Sequence, residues 1–139
     1  MKSKLICSVV LALSATVAAA AQDTPTEGCI KELVFESRLK PIADMVDLVR
    51  ANPGVRAPDR VATAEEKAAL ALWVEMRQGC YEYGAAYRRA TSKPQEVAFQ
   101  RSLFVFQQRL VAELLQGHVT YVEFTRRRAE LVEAAGQEI

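Results

Sequence analysis

The stretch Leu114–Arg128, LLQGHVTYVEFTRRR, restricts the possible folds more than any other part of the chain. Phe99, Leu103, Phe106, Leu110 and Leu114 repeat at helical spacing up to it, and Gly117 then interrupts the run. Glycine has no Cβ, so it takes the left-handed conformation that ends a helix without strain. Thr120 follows where an N-cap hydroxyl is wanted, with Glu123 at the spacing of a capping box. Val119 and Phe124 hold the positions of a hydrophobic staple. A helix that stops and restarts within so few residues doubles back. The spacing therefore predicts an antiparallel hairpin over about 95–136, with arms at about 95–116 and 120–136. Tyr121, Phe124, Arg128, Leu131 and Ala135 lie along the second arm.

The rest of the chain carries the same period. Phe35, Leu39, Ile42, Val46 and Val49 share one face, which predicts a first helix over about 27–50, kinked at Pro41. Asn52, Pro53, Gly54 and Pro58 mark a connection. Thr63 and Glu66 form a capping box that opens a second helix over about 64–90. Its seam is Leu70, Trp73, Arg77, Cys80, Gly84 and Tyr87. Gly79 and Gly84 suggest close approach of another helix there. Helix three carries a second apolar stripe, Phe104, Val111 and Leu115, so its apolar arc covers nearly half the circumference. The expected fold is all-α: an antiparallel four-helix bundle-like domain with a kinked first helix and a C-terminal helical hairpin.

Residues 1–21 read as a secretory signal peptide. Lys2 and Lys4 precede an apolar run from Leu5, and Ala19–Ala21 offer a small-residue cleavage site. Residues 22–139 then form a single helical domain of about 118 residues. Removing Lys2 and Lys4 leaves 16 basic against 17 acidic residues, a net charge of −1. That lacks the basic footprint of general nucleic-acid binding. No further apolar run approaches membrane-spanning length, so no integral span is expected after cleavage. The localisation expected is periplasmic or secreted. Two cysteines follow the leader, Cys29 and Cys80, and an even count in an exported chain reads as one disulfide.

At the hairpin a resemblance appears. Leu110, Leu114, Gly117, Val119, Thr120, Glu123, Phe124, Arg128 and Leu131 resemble the short C-terminal domain, a helical hairpin at the ends of many prokaryotic proteins. That resemblance implies a role in protein association or oligomer assembly, with no catalytic chemistry attached. It covers about 24 residues, and here the first arm is longer than is usual for that family. The stretch ATAEEKAALALWVEMRQGC followed by a hairpin also resembles small exported proteobacterial proteins of unknown function.

Candidates for chemistry are few. With His118 as the one histidine, neither a Ser-His-Asp arrangement nor a histidine-based metal or haem site is supported, and no cofactor is expected. Met45 and Met76 lack partners that would make them metal ligands and read as core filler. Glu65 and Glu66 are accounted for by helix dipole and capping. The reading is therefore a non-enzymatic binding or adaptor protein, its partner an envelope protein or a second copy. Phe104, Tyr121, Arg126 and Arg127 are the candidate interaction face. Arg77, set in an apolar seam, reads as a buried polar contact, with Glu32 or Glu36 as its preferred partner and a ligand carboxylate as the alternative. The alternative function is a carrier of a small apolar or haem-like ligand within the bundle.

Overall fold

The computed structural model describes residues 21–136, so the body of the expected leader lies outside the described residues. Five α-helices follow in order: α1 (Pro25–Glu32), α2 (Ala64–Tyr83), α3 (Ala85–Thr91), α4 (Pro94–Gln116) and α5 (Tyr121–Ala135). Two 3-10 turns, Leu33–Phe35 and Ser37–Ile42, continue α1, and no strand occurs among the described residues. The fold is all-α and bundle-like.

Hydrogen bonds and ring contacts give the helix directions. Contacts run from Val74–Gln108 through Arg77–Gln107 to Tyr81–Phe104, so α2 and α4 are antiparallel. The hairpin turn makes α4 and α5 antiparallel as well. α2 and α5 therefore point the same way. The N-terminal segment descends against α2, from Arg88–Thr26 through Cys29–Cys80 to Trp73–Leu48. Cys29 and Cys80 lie at disulfide distance, with 5.4 Å between Cα atoms and 51 residues of separation. The core they border contains Ile30, Leu39, Ile42, Val46, Leu70, Trp73, Leu114 and Phe124, each no more than 2% exposed.

The first helix departs from expectation. It starts earlier, at Pro25, because Thr24 and Glu27 form a reciprocal capping box. It ends at Glu32 and does not run to residue 50. Glu36 takes an extended conformation (φ −76°, ψ 108°), and its carboxylate accepts from the Arg38 backbone N–H. Pro41 lies in the following 3-10 turn, where no intact α-helical ladder has to be broken. Asp47 Oδ1 then accepts from Val49 and Arg50 N–H, an Asx-type stop. Leu39, Ile42 and Val46 still reach the core, but Phe35 is 79% exposed because its segment has left helical phase.

The second helix is also interrupted. Gly84 separates α2 from α3 and is packed so closely that a Cβ would stand 1.9 Å from Thr26 Oγ1. A Cβ at Gly79 would meet no atom within 4 Å, so close approach explains only one of the two glycines.

The hairpin turn follows its sequence in detail. Gly117 has φ +75°; Gly117 N–H donates to Leu114 and His118 N–H to Glu113, the two bonds of a Schellman motif. Thr120 Oγ1 caps Glu123 N–H. The reciprocal half of that box is not made: the Glu123 carboxylate pairs with Arg126 and Arg127. Tyr121 N–H donates instead to the Arg60 carbonyl, which fastens the 50–63 connection to the start of α5.

Candidate functional site

Of the expected interaction face, the two rings are not at the surface. Phe104 is 3% exposed and stacks on Tyr81, with ring centres 4.2 Å apart. Tyr121 is fully buried, and its hydroxyl donates to Glu66 Oε2 at 3.1 Å. Both are core residues, which corrects their assignment to a binding face. The aromatic hydroxyl is buried because it has an acceptor. Arg126 and Arg127 are exposed and bound to Glu123, Glu130 and Glu113 in a solvated network. These arginines hold the Glu123 carboxyl below its ordinary range. Water screens such exposed pairs, so they add little to stability.

The apolar surface of α4 comes from two members of its first stripe, whose Leu103, Leu110 and Leu114 are buried. Phe99 and Phe106, seven residues apart and so on one face, are 45% and 54% exposed; Val105 is also exposed. The Arg109 guanidinium lies 5.8 Å from the Phe106 ring centre. An apolar arc of that breadth fits either a helix wedged between two neighbours or one with surface left over. Periodicity alone does not rank two adjacent stripes, and α2 and α5 bury Leu103, Phe104, Gln107, Leu110, Val111 and Leu114.

A surface cleft of about 500 Å³ opens where α1, α3 and α4 meet, lined by Thr26, Ile30, Tyr81, Tyr87, Arg88 and Gln100 among others. The Arg88 guanidinium lies 3.7 Å from the Tyr81 ring centre. It donates to Thr26 Oγ1 at 2.7 Å and to the Tyr81 carbonyl. Gln100 Oε1 is buried without a hydrogen-bond partner. The role of Arg88 depends on α1 folding back to Gly84, for which the sequence carries no local signal.

Two clusters of polar side chains are buried within the bundle. At the start of α2, the Glu66 carboxylate accepts from both Arg60 terminal nitrogens (2.7 and 2.8 Å), from Thr63 N–H and from the Tyr121 hydroxyl. These donors, Arg60 first, hold its carboxyl down at about 2, and burial beside it raises the Tyr121 hydroxyl. Further along α2, Arg77 and Arg128 are 1% and 4% exposed, and each guanidinium carbon lies 5.3 Å from the Trp73 ring centre. Arg77 Nη2 donates to Gln107 Oε1 at 2.8 Å, and Arg128 Nη1 to the Asp47 carbonyl. Arg77 forms no ion pair with Glu32 or Glu36, which corrects the expected bridge: Glu36 is engaged with Arg38. Burial pulls Arg77 down to about 10. Burial first, then the Arg77 charge, pulls Arg128 down to about 9 against the opposing pull of Asp47. Both remain cations at neutral pH.

Among the described residues no cluster of His, Cys, Asp or Glu is arranged to hold a metal, and no helix is long and apolar enough to cross a membrane. No family model, curated protein or solved structure matches the chain.

Proposed function

We propose that this chain is a non-enzymatic helical binding or adaptor protein of the periplasm, acting by protein–protein association. The observation that carries this reading is the exposed Phe99–Phe106 face of α4. Two phenylalanines on one helix face, flanked by Val105 and Arg109, have the aromatic-plus-arginine make-up of an interface centre. The cysteine pair at disulfide distance suits an oxidising compartment, in keeping with the leader-like N-terminus. The resemblance of the hairpin to an association domain points the same way. The test is a Phe99→Ala/Phe106→Ala variant in an envelope pull-down and in light scattering at rising concentration. Partner capture or concentration-dependent mass should fall, while stability shifts by no more than about 0.5 kcal/mol, as for surface changes. Equal capture and equal mass in both proteins would sink the proposal.

The second reading, a small-ligand carrier, draws its support from the α1–α3–α4 cleft and not from the bundle interior, which Trp73, Leu70 and Phe124 fill. The cleft offers an aromatic floor, a cation and hydroxyls, which suits a polar ligand better than an apolar or haem-like one. Mass spectrometry of an organic extract of the purified protein separates the two readings.

A further inference from the structure

The arginine layer beside Trp73 has an excess of donors. Four buried nitrogens there have no hydrogen-bond partner: Arg77 Nε, Arg77 Nη1, Arg128 Nη2 and Gln107 Nε2. All four are N–H donors; the neighbouring buried acceptor without a partner is Gln108 Oε1, beside the Val74 contact. The layer is also cationic. Two guanidiniums have been removed from water, and the acceptors they reach are one amide oxygen, one backbone carbonyl and the Trp73 ring.

Helix direction places these donors together. Trp73 and Phe124 meet edge-on, with ring centres 6.4 Å apart. Arg77 lies four residues beyond Trp73 on α2, and Arg128 four beyond Phe124 on α5. Because α2 and α5 run parallel, both arginines stand one turn past the same aromatic contact, with Gln107 of α4 opposite. The Asp47 carboxylate offsets part of the Arg128 charge at longer range, but its Oδ1 is taken by Val49 and Arg50 N–H.

We propose that Arg77, Arg128 and Gln107 form a buried site for one small, singly charged anion of the halide class. Four free donors outnumber the one neighbouring free acceptor, Gln108 Oε1; that excess suits an anion, which only accepts, better than water, which must also donate. The charge that Asp47 leaves uncompensated is about one unit, which favours a monovalent ion. The depth of the layer favours an ion that sheds its hydration readily, because dehydrating a charge dominates the cost of burying it. This site stands independently of the association reading above.

Trp73 is the only tryptophan in the chain, so it reports on the layer without labelling. Purified protein in sodium gluconate is titrated with sodium bromide or chloride at constant ionic strength. Bromide should quench Trp73 saturably. Either halide should raise Tm by roughly 5 °C at ten times its Kd. Arg77→Met should abolish both responses, and Gln107→Leu should weaken them. An Arg77→Met protein that does not fold leaves a direct measurement: crystals of the unaltered protein grown in bromide should show anomalous density within hydrogen-bond distance of Arg77 Nε and Arg128 Nη2. Ordered water alone at that position would overturn the proposal. So would a linear quench, an equal Tm rise with sodium sulfate, or an unchanged response in folded Arg77→Met.

Discussion

Glu66 and Arg77 sit on the same helix, eleven residues or about 16 Å apart, and both are buried. Their surroundings differ in one respect. Around Glu66 an anion faces donors that can all be counted: Arg60, the Thr63 backbone and Tyr121. Around Arg77 two cations border one tryptophan with donors to spare. Polar atoms are therefore tolerated in this core on two different terms. The closed network locks the connection to α2 and α5, so losing Glu66 strands the buried Tyr121 hydroxyl. The open layer holds charge that its own side chains do not neutralise, so removing one cation relieves as much as it disrupts.

The largest expected effect tests whether the two clusters depend on a common frame. Cys80 lies one turn beyond Arg77, and its bond to Cys29 closes a loop of 51 residues. Cys80→Ser should destabilise by up to roughly 4 kcal/mol by loop-closure entropy. Denaturant melts with and without reductant measure it. Two alkylatable thiols in unreduced protein would remove the premise. Next, Glu66→Ala should cost about 2–3 kcal/mol, because Tyr121 loses a buried acceptor. Arg60, 45% exposed at its side chain, returns to water and adds little. A loss below about 1 kcal/mol would show that the closed network is not a unit.

The pH dependence follows from the same carboxylate. Its folded pKa, about 2, lies below the unfolded value of 4.5, so the stability it contributes is complete above pH 4.5 and is lost as pH falls toward 2. With allowance for the exposure of Arg60, about 1–2 kcal/mol should disappear in that window. Glu66→Gln should flatten that part of the profile; an unchanged slope would assign acid sensitivity elsewhere. A smaller effect is expected at the turn: Thr120→Ala should cost about 1 kcal/mol, since only its half of the capping box is made. The smallest effect completes the contrast. Arg77→Met, measured in gluconate, should leave stability within about 1 kcal/mol of the parent or raise it. A loss of 3 kcal/mol or more would mean that the open layer is closed after all.

What could be read in advance was local. Gly117, Thr120 and the Val119–Phe124 spacing specify the hairpin turn because each acts within one helical turn of itself. The Thr63–Glu66 box likewise marks the start of α2. The all-α class followed from apolar period, and the cysteine pairing from there being only two cysteines after the expected leader. The first helix was misread because Leu39, Ile42 and Val46 keep an apolar rhythm that 3-10 turns also satisfy. The Glu36 and Asp47 side chains that interrupt the helix compete with its backbone through bonds that periodicity does not register. Which members of the apolar arc of α4 face inward, and hence that Phe104 and Tyr121 are core while Phe99 and Phe106 are surface, depended on where α2 and α5 pack. The convergence of Arg77, Gln107 and Arg128 on Trp73 joins residues as many as 55 positions apart. No local rule couples such distant side chains; only the parallel course of α2 and α5, fixed by the whole bundle, brings two like charges into one layer.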